Sequence, residues 1–170
     1  MDFLELAKTR YSCRKFSGQR VEQEKIEKLI EAGLAAPTAV NKQPYRIWVM
    51  EGPEAAGKLA QTTKYTFHAE QFLLVGTRTE EAWVRQSDEK NFGEVDAAIV
   101  ATHIMLEAWQ LGLGTTWVGS FDEGLMKSLV PELEGYELIA LFPLGYPAED
   151  AKPAGMHYKT REREELVKYL

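Results

Sequence analysis

The stretch VDAAIVATHIMLEAWQLGLGTTWVGSFD, residues 95–122, decides how this chain folds. Residues 95–114 carry the longest helical signal in the sequence, and their apolar side chains spread around the helix instead of keeping to one stripe. Val95, Ala98, Ile99, Thr102, Leu106 and Trp109 line one face, while Val100, Ile104 and Met105 lie on others. A helix that is apolar nearly all round has to be covered on two sides. It therefore sits at the centre of the molecule or against a second subunit. Gly112 and Gly114 end it. TTWVGSF (115–121) then reads as a strand running into a turn, and Asp122 is placed to cap a further helix that continues to Val130.

Working outward, YRIWVME (45–51) and FLLVGT (72–77) read as strands, the first bounded by Pro44 and by the Gly52-Pro53 turn signal. A helix over 54–63 fits between them. VEQEKIEKLIEAGLAAP (21–37) places Val21, Ile26, Leu29, Ile30 and Leu34 at the helical period, and Pro37 stops it. Residues 2–9 predict a short helix with Phe3, Leu4 and Leu6 on its apolar side. The polar stretch 78–94, which contains Trp83 and Asn91-Phe92-Gly93, lacks a period and reads as a loop. ELIALFPLGYP (137–147) is a strongly apolar last strand. The polar tail that follows it, 148–162, is too long for an ordinary connection and predicts an extended arm lying on its own domain or on a partner. Helices and strands are mixed along one chain of 170 residues with no repeat, so residues 1–170 form a single domain.

Composition removes several function classes. A hydrophobic fraction of 45% with 27% charged residues is that of a soluble globular protein. The formal net charge of −6 argues against general affinity for nucleic acid or for anionic membranes. No apolar run approaches the ~18 residues that span a bilayer, and no basic start followed by an apolar segment marks a signal peptide. The single cysteine, Cys13, cannot form an internal disulfide and fits a reducing cytoplasm. His68, His103 and His157 show no ligand spacing, so no metal site is expected.

Four segments carry possible chemistry. In RYSCRKF (10–16) the pattern R-x-S-x-R can converge on one anion from an extended segment, or can be a solvated surface with scattered ion pairs. In AAPTAVNKQPYR (35–46), Asn41 and Gln43 offer donors and acceptors that suit the imide edge of a heterocycle, or simply cap a connector. At Gly119-Ser120 a turning strand exposes amide N–H groups, and glycine allows a planar ligand close to the backbone. HYKTRER (157–163) adds Lys159 and Arg161, cations that can join Arg10 or belong to an ordinary charged terminus.

Taken in order, RYSCRKF, APTAVNKQPY, VDAAIVATHIMLEAWQLGLGTTWVGSFD, LGYPAED and HYKTR resemble the nitroreductase family of FMN-dependent oxidoreductases over nearly the whole chain. The resemblance implies an α+β, three-layer sandwich with a mainly antiparallel sheet flanked by helices. It also implies an intertwined homodimer with FMN at the subunit interface, and residues 148–170 as an arm that reaches the partner. The cofactor-binding set it implies is Arg10, Tyr11, Ser12, Arg14, Pro37, Thr38, Ala39, Asn41, Trp117, Val118, Gly119, Ser120, Lys159 and Arg161. Arg10 and Ser12, with Lys159 and Arg161, resemble the family's phosphate contacts, and Arg14 its basic residue near the pyrimidine end of the ring. Gly119 falls where the family offers an N–H to flavin N5, while Thr38, Ala39 and Asn41 match a loop contributed partly by the partner. Thr160 stands where a basic residue is common, and Glu162-Arg163 replace a common Pro-Leu pair.

The implied activity is transfer of hydride from NADH or NADPH through the flavin to a small flat electrophile, such as a nitroaromatic or quinone, in two steps. The flavin supplies the chemistry, so no catalytic acid, base or nucleophile is demanded. Loop 78–94 is the expected lid over the acceptor. A flavin carrier or sensor, or a specialised enzyme such as a reductive dehalogenase, fits the same cofactor residues.

Overall fold

In the computed structural model, which describes residues 2–170, the apolar run FLLVG becomes the centre of the molecule. Strand β2 (Gln71–Thr77) is buried at every position. It pairs antiparallel with β1 (Tyr45–Glu51) on one side and with β6 (Glu137–Gly145) on the other. A strand flanked on both edges and covered on both faces has no use for polar alternation, which explains its composition. The short β5 (Gly114–Thr115) adds to the far edge of β6, giving the order β1-β2-β6-β5.

Two helical layers sandwich this sheet. On one face α4 (Gly93–Gln110) lays Ala97, Val100, Ala101, Ile104 and Ala108 against Leu73, Val75, Ala140 and Phe142. Outside it packs α2 (Gln23–Leu34), through Ile26 and Leu29. The approach is close. A Cβ on Gly33 of α2 would lie 2.9 Å from Ile47 Cδ1 and 3.1 Å from Ile104 Cδ1, so any larger residue there has to displace the ends of those two side chains. On the other face α3 (Gly52–Thr62) and α5 (Glu123–Leu129) bring Leu59 and Met126 onto Phe72, Leu74 and Leu141. The architecture is the expected α+β three-layer sandwich with an antiparallel sheet.

The all-round apolarity of α4 resolves into two faces. One is the core face just described. The other carries Val95, 37% exposed, with the half-buried Ala98, Ile99 and Thr102, and it lines an open groove of about 520 Å³.

Three expectations need correction. Of TTWVGSF, only Thr115 joins the sheet ladder, after Gly114; beyond it one bridge, between Val118 and Leu141, holds the chain to β6. The segment is drawn away because the Thr63 hydroxyl donates to Ser120 O (2.7 Å) and Asp122 N donates to Thr62 O (2.8 Å), anchoring it to the end of α3. Segment 78–94 is not structureless: a 3-10 turn at Thr79–Glu81 leads into a hairpin of β3 (Val84–Arg85) and β4 (Lys90–Asn91). Trp83 meets Phe92 edge-on at 5.0 Å across that hairpin. The tail holds a 3-10 turn (Gly155–Tyr158) and one short helical turn (Arg163–Leu166), with Met156, Tyr158, Leu166 and Tyr169 exposed. At the other terminus α1 (Phe3–Thr9), capped by Asp2, buries Leu6 and leaves Phe3 and Leu4 in the open.

Candidate functional site

Residues 10–16 run extended along β5. Ser12 pairs in parallel with Thr115, Cys13 N donates to Thr115 O (2.9 Å), and Phe16 pairs with Pro147. Side chains alternate along such a segment. Tyr11 and Cys13 turn inward, Tyr11 edge-on to Trp109 at 5.1 Å and Cys13 fully buried. Cys13 rests on Gly114, where a Cβ would come within 2.7 Å of both its Cβ and its Sγ. Arg10, Ser12 and Arg14 therefore share the opposite face. Arg10 is half-buried, and among the described residues no carboxylate or hydrogen-bond acceptor meets its side chain. Burial pushes its guanidinium down from the ordinary arginine value. A partly desolvated cation without a counterion is a place for an anion.

Arg14 also borders a hollow of about 250 Å³, completed by Thr116, Trp117, Val118, Gly119 and Ser120 and by two rings, Tyr65 and Phe67. Its floor is rigid: Val118 and Leu141 exchange backbone hydrogen bonds of 2.9 and 3.0 Å, and Trp117 packs edge-on to Phe142 at 5.5 Å. Gly119 leaves its backbone open, since a Cβ there would meet nothing closer than Trp117 Nε1 at 4.0 Å. The hollow continues into a wider groove of about 850 Å³ past Gly119 and Ser120. Tyr65 and Phe67 were not legible in the sequence. The connector that carries them is left-handed at Phe67 and His68 (φ 51° and 58°), and the one hint was two aromatics spaced by two in a polar connector.

The other predicted loop is elsewhere. Ala39 N donates to Asp96 Oδ1 (2.8 Å) in the first turn of α4, and Gln43 N donates to Thr38 Oγ1 (3.1 Å). Val40, Asn41 and Gln43 are left-handed (φ 45°, 57° and 51°). The far end of α4 leads through Leu113 to Gly114 beside Cys13. An 18-residue helix is about 27 Å long, so Pro37, Thr38, Ala39 and Asn41 stand a helix length away from Arg10, Ser12 and Arg14. One chain does not bring the two groups together.

The nitroreductase family model matches residues 7–67 and 57–146. This chain belongs to the nitroreductase family. It is 32% identical, over 88% of its own length and 80% of the relative's, to a protein of Methanothermobacter thermautotrophicus provisionally named NADH dehydrogenase/NAD(P)H nitroreductase. A crystal structure of a nitroreductase family protein from Clostridium difficile superposes with a TM-score of 0.91 at 35% identity, covering 99% of this chain and 98% of that one. A protein of Desulfovibrio desulfuricans provisionally named a nitroreductase and solved in complex with FMN shares the fold with a TM-score of 0.78 at 24% identity, over 98% and 95% of the two chains.

In this nitroreductase-family chain the arm lies beyond the matched residues. Lys159 is exposed, Arg161 is exposed and paired with Glu165 (2.8 Å), and no hydrogen bond or ion pair joins either to Arg10, Ser12 or Arg14. The hairpin of 78–94 lies at the first turn of α4, with Asn91 Oδ1 accepting from Gly93 N (2.9 Å); it does not line the Gly119 hollow of its own chain. Sequence reading also passed over Asp96, an acid at the start of an apolar helix. It is 1% exposed, and its Oδ2 has no partner among the described residues. Those residues contain no cluster of three or more His, Cys, Asp or Glu able to hold a metal, and no helix long and apolar enough to cross a membrane.

Proposed function

We propose that the chain is an FMN-dependent NAD(P)H oxidoreductase acting as a homodimer, each flavin site assembled from two copies. The observation that carries this reading is Arg10: half-buried, lacking a counterion, and on the same face as Ser12 and Arg14. The residues fit the cofactor in charge and shape. Arg10 and Ser12 would hold its phosphate, Arg14 would stand at the pyrimidine end, and the open backbone of Gly119 would face the ring. Lys159 and Arg161 would close on the phosphate from the arm. When bound, FMN supplies hydride transfer from NAD(P)H to a small flat electrophile such as a nitroaromatic or a quinone.

This chain's own residues position and select. Arg14 places a cation where negative charge accumulates on reduction, which favours the reduced state. Tyr65 and Phe67 give the hollow aromatic walls that suit a planar acceptor. The separation along α4 supports the second copy: if Pro37, Thr38, Ala39 and Asn41 contact flavin, they would do so on a partner. Apolar surface on α1, on the outer face of α4 and on the arm would be covered by that partner. The hairpin 78–94 would then lie over the partner's acceptor site.

Initial rates with NADPH or NADH against a quinone or nitroaromatic test the two-step relay. Parallel double-reciprocal lines are expected; converging lines would refute it, and a flavin that is reduced without turnover would make the chain a carrier or sensor.

A further inference from the structure

We propose that the basic hollow next to Arg14 holds a phosphate group of the reducing pyridine nucleotide. The proposal rests on the oxidoreductase reading above and adds to it where the charged tail of the reductant goes.

The hollow measures about 300 Å³ and is lined by Arg14, Lys15, Asp150, Ala151 and Lys152. The start of the arm fixes it: Ala148 N donates to Lys15 O (3.1 Å), one step beyond the Phe16–Pro147 bridge. Asp150 is already engaged, because its carboxylate pairs with the Lys15 ammonium and is held below the usual carboxylate range by it. Arg14 and Lys152 have no carboxylate within ion-pair distance among the described residues. Three cations thus face a single carboxylate; Arg14 Nη1 donates to Ser12 O (3.2 Å) and Lys152 acts on Asp150 only at longer range, so Lys152 is the one without a direct partner among the described residues.

This local excess stands in a chain whose net charge is −6. Such a chain repels a nucleotide that carries several negative charges, so its reductant needs a positive patch close to the point of reaction. Arg14 lines both this hollow and the one at Gly119, so the two adjoin. The basic hollow has no aromatic ring and only one alanine among its lining side chains. It suits a bare anionic group, whereas the neighbouring hollow with Tyr65 and Phe67 suits a ring.

The test is anaerobic stopped-flow reduction of the flavin-loaded protein by NADPH, by NADH and by uncharged 1-benzyl-1,4-dihydronicotinamide, in the wild type, Lys152→Glu and Asp150→Asn. Lys152→Glu is expected to weaken the apparent affinity for the dinucleotide by roughly three- to tenfold and to flatten its salt dependence. Asp150→Asn, which frees Lys15, should tighten it by about twofold. The benzyl analogue should react equally well with all three proteins. An effect on NADPH alone assigns the 2′-phosphate, and an equal effect on NADH assigns the pyrophosphate; both support the proposal. Unchanged affinity for both dinucleotides overturns it, as does an equal change with the benzyl analogue. Calorimetric binding of adenosine 2′,5′-bisphosphate gives a second reading that needs no turnover, and it too should weaken in Lys152→Glu. If no reductant bleaches the wild-type flavin while the bisphosphate still binds with this dependence, the oxidoreductase reading fails and the anion site stands.

Discussion

A guanidinium that is half-buried with no carboxylate beside it costs free energy until something else brings the negative charge. Arg10 is in that position, and its replacement separates binding from folding. Arg10→Gln should lower FMN affinity about 10- to 100-fold, the value of one charge-assisted contact, without lowering the melting temperature of the cofactor-free protein. Fluorescence titration with FMN checks the first part and thermal unfolding the second. Behind Arg10, Cys13 reports on burial. Burial pushes its thiol above the ordinary value of 9.0, so the folded state holds the proton more tightly than the unfolded one. Its contribution is intact below about pH 9 and is lost as pH rises through the folded-state value. Urea unfolding at about pH 8 and about pH 10.5 should therefore show a smaller alkaline loss in Cys13→Ala than in the wild type. Gly114→Ala should cost about 1–3 kcal/mol, because the new Cβ would lie 2.7 Å from Cys13. At this scale R-x-S-x-R was legible, since alternation alone puts Arg10, Ser12 and Arg14 on one face. Tyr65 and Phe67 were not, because they sit in a connector whose left-handed backbone at Phe67 and His68 no residue type demands.

Among the elements, α4 explains most of what the sequence made visible. Its all-round apolarity announced two covered faces; within one chain the structure covers the core face and leaves the other lining an open groove. The strand reading of 115–121 failed for a nonlocal reason: Thr62 and Thr63, sixty and fifty-seven residues upstream of their partners, capture Asp122 and Ser120 and pull the chain off the sheet. Asp96 was hidden similarly, as its role lies in a contact to Ala39 that sequence spacing cannot show. Asp96→Ala frees the Ala39 amide but also removes a buried oxygen without a partner, so global stability should fall by only about 1 kcal/mol. FMN affinity should fall further than that, because the loop 37–41 loses its tether. Denaturant unfolding and FMN titration on the same samples decide it; equal losses in both would show that the carboxylate only holds the fold.

For the whole molecule, the two groups of candidate residues at opposite ends of α4 make subunit exchange a test of the proposed homodimer. On the proposed reading, Arg10→Gln and Asn41→Ala would damage different halves of each site. A mixed dimer of the two variants contains one site with both changes and one with neither. Mixing them should restore strong FMN binding to one site in each mixed dimer, about a quarter of all sites after random exchange, whereas a site built within one chain would recover nothing. The most direct test of the account is an anaerobic absorbance spectrum of the purified protein loaded with FMN, before and after adding NADH or NADPH. Bound flavin with its band near ~450 nm, bleached by either nucleotide, is the predicted result. Failure to retain FMN under reconstitution with an excess would contradict the site described here, and a bound flavin that neither nucleotide bleaches would contradict the activity.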